Sequence, residues 1–228
     1  MFQVFRRSTV VYASIASIIT RNVTFASPTT FQTLRQALVI PVKGGKEVPN
    51  VSMKAEELWE DNEVTVIYVL RRPGWVLCRE EGSDLHALKK SGALGNAVMI
   101  GIIKEVAPVK FAPTDAKLGV DEFNTVYFPY PLYRDVDLAF YKALGKRNII
   151  HDFPSWNPFT IYKQYKALTA RANKKKIYGN LLGEGMVAGG VLVISKDKGV
   201  TYVYREVINH PVPVDEIKEA VRLCFEKH

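Results

Sequence analysis

Two uninterrupted runs of β-prone apolar residues, 64–70 and 97–103, bracket a segment of helical pattern, 77–90. Nothing else in the chain constrains its fold as tightly. Neither run alternates apolar with polar residues, so each predicts a strand buried on both faces of a sheet. Arg71, Arg72, Pro73 and Gly74 break the first run. Leu77, Leu85 and Leu88 then line one side of the helix. The 47% hydrophobic content over 228 residues excludes a disordered, collagen-like or low-complexity chain. The length suits one domain of about 150–180 residues plus an appendage, large enough to bury a core without disulfides.

The remaining punctuation orders the other elements. Gly44, Gly45, Pro49 and Asn50 read as a flexible link, so residues 1–49 are expected to be an extension and residues 50–228 the domain. Ser52 reads as the N-cap of a short helix over 54–61. Residues 106–124 read as irregular. The Tyr- and Pro-rich stretch 126–133 reads as extended, its prolines placing it at a sheet edge; it is too aromatic for a casual loop and predicts a partner-facing surface or an edge cover. Short helix 136–144 is stopped by Gly145. A longer helix covers about 159–173, after a loop punctuated by Pro154 and Pro158. Strands at 189–194 and 200–207 flank a hairpin turn at 196–199, and Pro213 opens a last helix over 215–225.

A βαβ half followed by a ββα half is the layout of a thioredoxin-like α/β fold, a central mixed sheet flanked by helices. In that layout the turn between the first strand and its helix is where chemistry occurs. Orphan N–H groups and the dipole at the helix N-terminus stabilise a thiolate there. In this chain the turn reads Arg71, Arg72, Pro73, Gly74, Trp75, Val76, Leu77, Cys78, Arg79, Glu80, Glu81. It resembles the signature of the atypical peroxiredoxin-like family of the alkyl-hydroperoxide-reductase/thiol-specific-antioxidant superfamily, in its prostamide/prostaglandin F synthase-like branch. Further matches follow in register: Lys54 to Trp59, Lys104-Glu105, Asp135 with Ala139-Phe140-Tyr141, Gly189-Gly190, and Arg205-Glu206.

The resemblance implies thiol-dependent reduction of peroxides or endoperoxides, with the site at Arg72, Pro73, Cys78 and Arg79. It also implies that the family's first active-site cysteine falls on Trp75, which cannot be a nucleophile. Cys78 is then either a vestigial or sole working thiol, or a small apolar residue on the inner side of its helix. Trp75 either fills the former substrate access, anchors a protein partner, or packs. Arg72 and Arg79 either act on Cys78 or an anion, or form salt bridges to Glu80, Glu81 or Asp84. No proline occurs in 185–190, where a thioredoxin fold usually has a cis-proline facing the turn. Cys224 reads as core, and the scattered histidines give no metal-ligand spacing. Neither metal nor cofactor is expected.

The net charge of +8 is concentrated in residues 1–46, which hold six Arg or Lys and no acid. The body carries only +2, so nucleic acid is set aside as a partner. The extension has the composition of a mitochondrial presequence, with a secretory signal as the alternative. Its uncharged stretch, 8–20, is too short to span a bilayer. The functional expectation is a degenerate, non-catalytic accessory subunit of a mitochondrial protein assembly, with the inner membrane as a candidate location. In it residues 1–46 stay attached and lie against other subunits or a membrane surface. The alternative is a single-cysteine thiol-dependent peroxide or endoperoxide reductase acting through Cys78.

Overall fold

The computed structural model describes residues 28–108, 114, 118–149 and 157–226. The apolar stretch 8–20 and the loop around Pro154 lie outside them. The described elements are α1 (Pro28–Arg35), β1 (Leu38–Lys43), β2 (Lys46–Glu47), β3 (Met53–Lys54), β4 (Val64–Val69), α2 (Val76–Lys90) and β5 (Val98–Ile103). They continue with α3 (Val120–Glu122), β6 (Leu132–Asp135), α4 (Ala139–Ala143), α5 (Pro158–Lys175), β7 (Gly190–Ser195), β8 (Gly199–Arg205) and α6 (Val214–Phe225).

The described strands form one mixed sheet in the order β2-β1-β6-β5-β4-β7-β8, with β3 also pairing with β1. Within it, β5-β4-β7-β8 is the thioredoxin arrangement: β4 runs parallel to β5, while β7 is antiparallel to both β4 and β8. The two-residue period of a strand sends alternate side chains of β4 to opposite faces. Val64, Val66 and Tyr68 join a core beneath α2 and α6 with Leu85, Val193, Ile217 and Val221. Ile67 and Val69 join a second core beneath α1 and α4 with Leu34, Trp59 and Phe140. Every residue of β4 and β7 is buried, as continuous apolar runs require.

Several expectations are corrected. Residues 28–49 are not a detached extension: β1 is an internal strand, and the boundary expected at residue 49 falls within the sheet. Gly44 and Gly45 make a hairpin turn between β1 and β2, with φ of 53° and 71°, values that glycine adopts without steric cost. The helix expected at 54–61 is a single 3-10 turn, Ala55–Leu58, entered directly from β3. The 126–133 stretch is not at an edge. Pro129 and Pro131 precede β6, which lies between β1 and β5, and Tyr127 and Phe128 are core residues rather than a partner-facing surface. Residues 120–127, read as irregular or extended, are helical, α3 passing into a π-turn at Phe123–Tyr127. The helix expected at 136–144 is confined to Ala139–Ala143. Buried Asp135 caps it, its two oxygens accepting from Ala139 N (2.9 Å) and Phe140 N (2.8 Å).

Candidate active site

The turn after β4 lies where that strand passes into α2, at the end of a sheet strand sealed on both faces. Trp75 is the N-cap residue of α2 in an extended conformation (φ −83°, ψ 138°), and its indole offers no acceptor to the orphan N–H groups. Cys78 sits in the first turn, wholly inaccessible. Both Cys78 and Cys224 are free thiols; Cys224 lies on α6, its sulfur 3.2 Å from Thr201 Oγ1.

Directly above the indole is Arg71, its guanidinium carbon 3.0 Å from the ring centroid; that of Arg72 is 5.2 Å away. Arg71 is itself buried and ion-paired with buried Glu206, Nε to Oε1 at 2.9 Å. The approach is off-axis, so the contact is an ion pair rather than an aligned hydrogen bond. The other oxygen of Glu206 accepts from Gly189 N at 2.9 Å, and Glu206 N donates to Gly189 O at 3.0 Å. This pair of bonds occupies the approach to β7 where a thioredoxin fold would place its proline. Gly189 is required there: a Cβ would overlap the carbonyl oxygen of Val69.

Residues 177–188 form a strap across the turn, and the arginines of the signature hold it. Arg72 Nη1 donates to Leu181 O (2.7 Å), Arg79 Nη1 to Tyr178 O (2.7 Å) and Arg71 Nη1 to Gly185 O (3.3 Å). Asn180 N donates to Gly74 O at 2.6 Å. Arg79 also donates to Pro73 O (3.2 Å) and pairs with Glu122 (2.6 Å). The acids expected for these arginines are used otherwise: Glu80 is paired with Arg171 and Lys175, and Asp84 with Lys175. A guanidinium that donates to fixed carbonyls cannot turn to a ligand without breaking them.

Beneath the turn, donor atoms of Cys78, Glu81 and Glu206 all lie within 4.8 Å of one another. Arg71 already supplies a positive charge to this group, so the donors do not by themselves define a metal centre. Burial pushes the Cys78 thiol up to about 12, with Glu206 adding to the effect and Arg71 opposing it. Burial, reinforced by Glu206, also raises the Glu81 carboxyl well above the usual carboxylate range, although Tyr68 donates to it at 2.8 Å. The site therefore holds a thiol and a carboxyl whose charged forms burial disfavours, and one arginine–glutamate pair. It contains no exposed nucleophile among the described residues.

Glu81 gives a testable pH dependence. Its unfolded pKa is about 4.3. Above that value the folded state holds a proton that the unfolded chain has released, so its contribution to stability falls as pH rises toward the raised folded value. Glu81→Gln keeps an acceptor for Tyr68 and removes the titration. The variant should gain stability relative to wild type at pH 8, and the gain should shrink toward pH 5. Urea unfolding of both proteins across that range measures it; a difference independent of pH would reject the assignment.

Sequence reasoning singled out Arg72, Pro73, Trp75, Cys78 and Arg79, which lie in this turn and at the start of α2. It missed the roles of Arg71, Tyr68, Glu81 and Glu206. Arg71 and Glu206 were visible only as members of the family's motifs, since no periodicity links positions so far apart.

The strand order, with a turn at the end of the central strand β4 leading into α2, defines a thioredoxin-like fold. The family model for the AhpC/TSA antioxidant enzymes matches residues 112–207. The chain is 30% identical to the prostamide/prostaglandin F synthase of Aquarana catesbeiana, over 77% of this chain and 82% of that protein. It is 32% identical to peroxiredoxin-like 2A of Xenopus tropicalis, over 85% and 78%. Among solved structures, Xanthomonas campestris peroxiredoxin Q aligns over 84% of this chain and 94% of its own at 16% identity, with a TM-score of 0.49. The strand order, not this last match, defines the fold. The chain belongs to the peroxiredoxin-like family that includes the peroxiredoxin-like 2A proteins and the prostamide/prostaglandin F synthases.

Proposed function

We propose that this chain is a degenerate member of its family, without thiol-peroxidase turnover, serving as an accessory subunit of a mitochondrial protein assembly. One observation carries the loss of chemistry: Trp75 occupies the helix N-cap, and the nearest thiol, Cys78, is inaccessible beneath it with its pKa pushed up to about 12. Peroxide reduction requires a thiolate that the peroxide can reach. A thiol titrating near 12 is ionised to roughly one part in 10⁵ at pH 7. The mitochondrial and accessory reading is supported by the acid-free, Arg-containing composition of residues 1–46.

The competing reading, a single-cysteine reductase, needs Cys78 exposed and ionised, and both its burial and the arginine-held strap oppose that. Hydrogen peroxide and an organic endoperoxide should show no turnover above the background with glutathione or thioredoxin as reductant, and Cys78→Ser should match wild type. Turnover that Cys78→Ser abolishes would establish the reductase instead. Native extracts prepared in mild detergent should contain the chain in a particle far larger than its monomer; a monomeric particle would remove the accessory-subunit reading.

A further inference from the structure

Helix α5 is the one long described helix whose body is not built into either core. Of its assigned side chains only Ala172, near its end, is fully buried. It is nevertheless firmly placed. Asn157 caps it, accepting from Phe159 N at 2.9 Å, and Pro158 opens it. Gln164 accepts from Asn209 at 3.2 Å, while Arg171 and Lys175 pair with Glu80 and Asp84 on α2. These anchors fix which face is turned out. On that outer face Phe159, Tyr162 and Tyr165 are 78%, 63% and 65% exposed, at i, i+3 and i+6, with exposed Lys163 and Lys166 among them. Exposed Lys174 and Lys176 follow. Residues 157–176 contain six Lys or Arg and no Asp or Glu.

Solvent gives no reason to display a phenylalanine and two tyrosines in succession on a rigid helix. A second copy of this face is disfavoured, because it would set lysine against lysine. We propose that the outer face of α5 lies on an anionic lipid surface. Tyrosine and phenylalanine settle at the headgroup level, and lysines keep their ammonium groups in water while their stems cover apolar surface. The helix is not long and apolar enough to cross a bilayer, which leaves the in-plane arrangement. Stable attachment takes two signals, and residues 1–27 of the same chain carry a second: Arg6, Arg7 and Arg21, no acid, and an apolar stretch. This inference does not depend on the loss of peroxidase chemistry.

The test is vesicle flotation of the full chain. It should float with phosphatidylcholine vesicles doped with phosphatidylserine, fail to float with phosphatidylcholine alone, and be released by salt. Lys163→Gln/Lys166→Gln should weaken partition by about fivefold per lysine. Phe159→Gln/Tyr162→Gln/Tyr165→Gln should weaken it by roughly tenfold or more. All five side chains are exposed, so each variant should keep the wild-type melting temperature, which is recorded alongside. Three results would overturn the proposal: no flotation with either lipid, flotation unchanged in both variants, or variant-sensitive binding seen only with a single-stranded oligonucleotide or an acidic protein.

Discussion

Glu206→Ala should lower the stability of the fold by about 3–5 kcal/mol, the usual cost of leaving one member of a buried ion pair uncompensated. Two losses coincide in this variant. Arg71, 2% exposed, keeps its charge without the carboxylate 2.9 Å from its Nε. Gly189 N loses its acceptor at the start of β7. Glu206→Gln keeps that acceptor and should cost less than the alanine. Arg71→Met/Glu206→Leu removes both charges and should recover the part of the loss that comes from the uncompensated arginine, while Gly189 N stays without its acceptor. Urea midpoints of the four proteins measure this directly. A Glu206→Ala loss below about 1 kcal/mol, the range of exposed pairs, would mean that Arg71 is not held as described.

The difference between what the sequence disclosed and what it hid has physical causes. Strands β4, β5 and β7 were legible because burial on both faces demands continuous apolar residues, and that demand is written locally. The hairpin at 196–199 and helix α2 were legible for the same local reason. Strand β1 was not: Gly44-Gly45 reads as a linker, and Pro41 interrupts the run with a residue that has no N–H to give a sheet. Yet Pro41 pairs in register with Tyr133, and its carbonyl accepts from Val48 N at 2.8 Å. The prolines before β6 made it read as an edge, and with β1 missed no strand was left to cover it. In the site, the turn itself followed from the strand–turn–helix pattern, and the significance of Trp75 and Cys78 from the resemblance to the family signature. The role of Arg71 did not, since it depends on Glu206, just past β8, being brought across Gly189 at the start of β7 to the end of β4. The arginine-held strap was equally hidden, because its acceptors are backbone carbonyls and carry no residue identity.

Trp75→Cys should create a reactive thiol where the native chain has none. The new side chain would sit at the N-cap of α2, facing the helix dipole, with the guanidinium of Arg71 now lacking its indole partner. Thiols in such positions titrate at about 3.5–7.5. Against a Cys78 thiol near 12, a group titrating near 7 has about 10⁴–10⁵ more thiolate at pH 7. Lower basicity reduces intrinsic nucleophilicity by roughly 10²–10³ over the same interval. The net gain is about 10²-fold before access is counted, and access adds to it, because Cys78 is inaccessible. Loss of the cation–π contact should cost the fold about 1–2 kcal/mol, and loss of the half-buried ring's packing adds to it, so the variant's melting temperature is recorded alongside.

Alkylation of native wild type and Trp75→Cys by iodoacetamide at pH 7, with each cysteine resolved by mass spectrometry, tests the central claim that the native turn offers no working thiol. Wild-type Cys78 should label only at the rate at which the chain unfolds, and fully once denatured. In Trp75→Cys the introduced thiol should label at least about 10²-fold faster than Cys78 of the same folded protein. Labelling of Cys78 in the native wild type at the rate of an exposed thiol would contradict the account and return the chain to the thiol reductases.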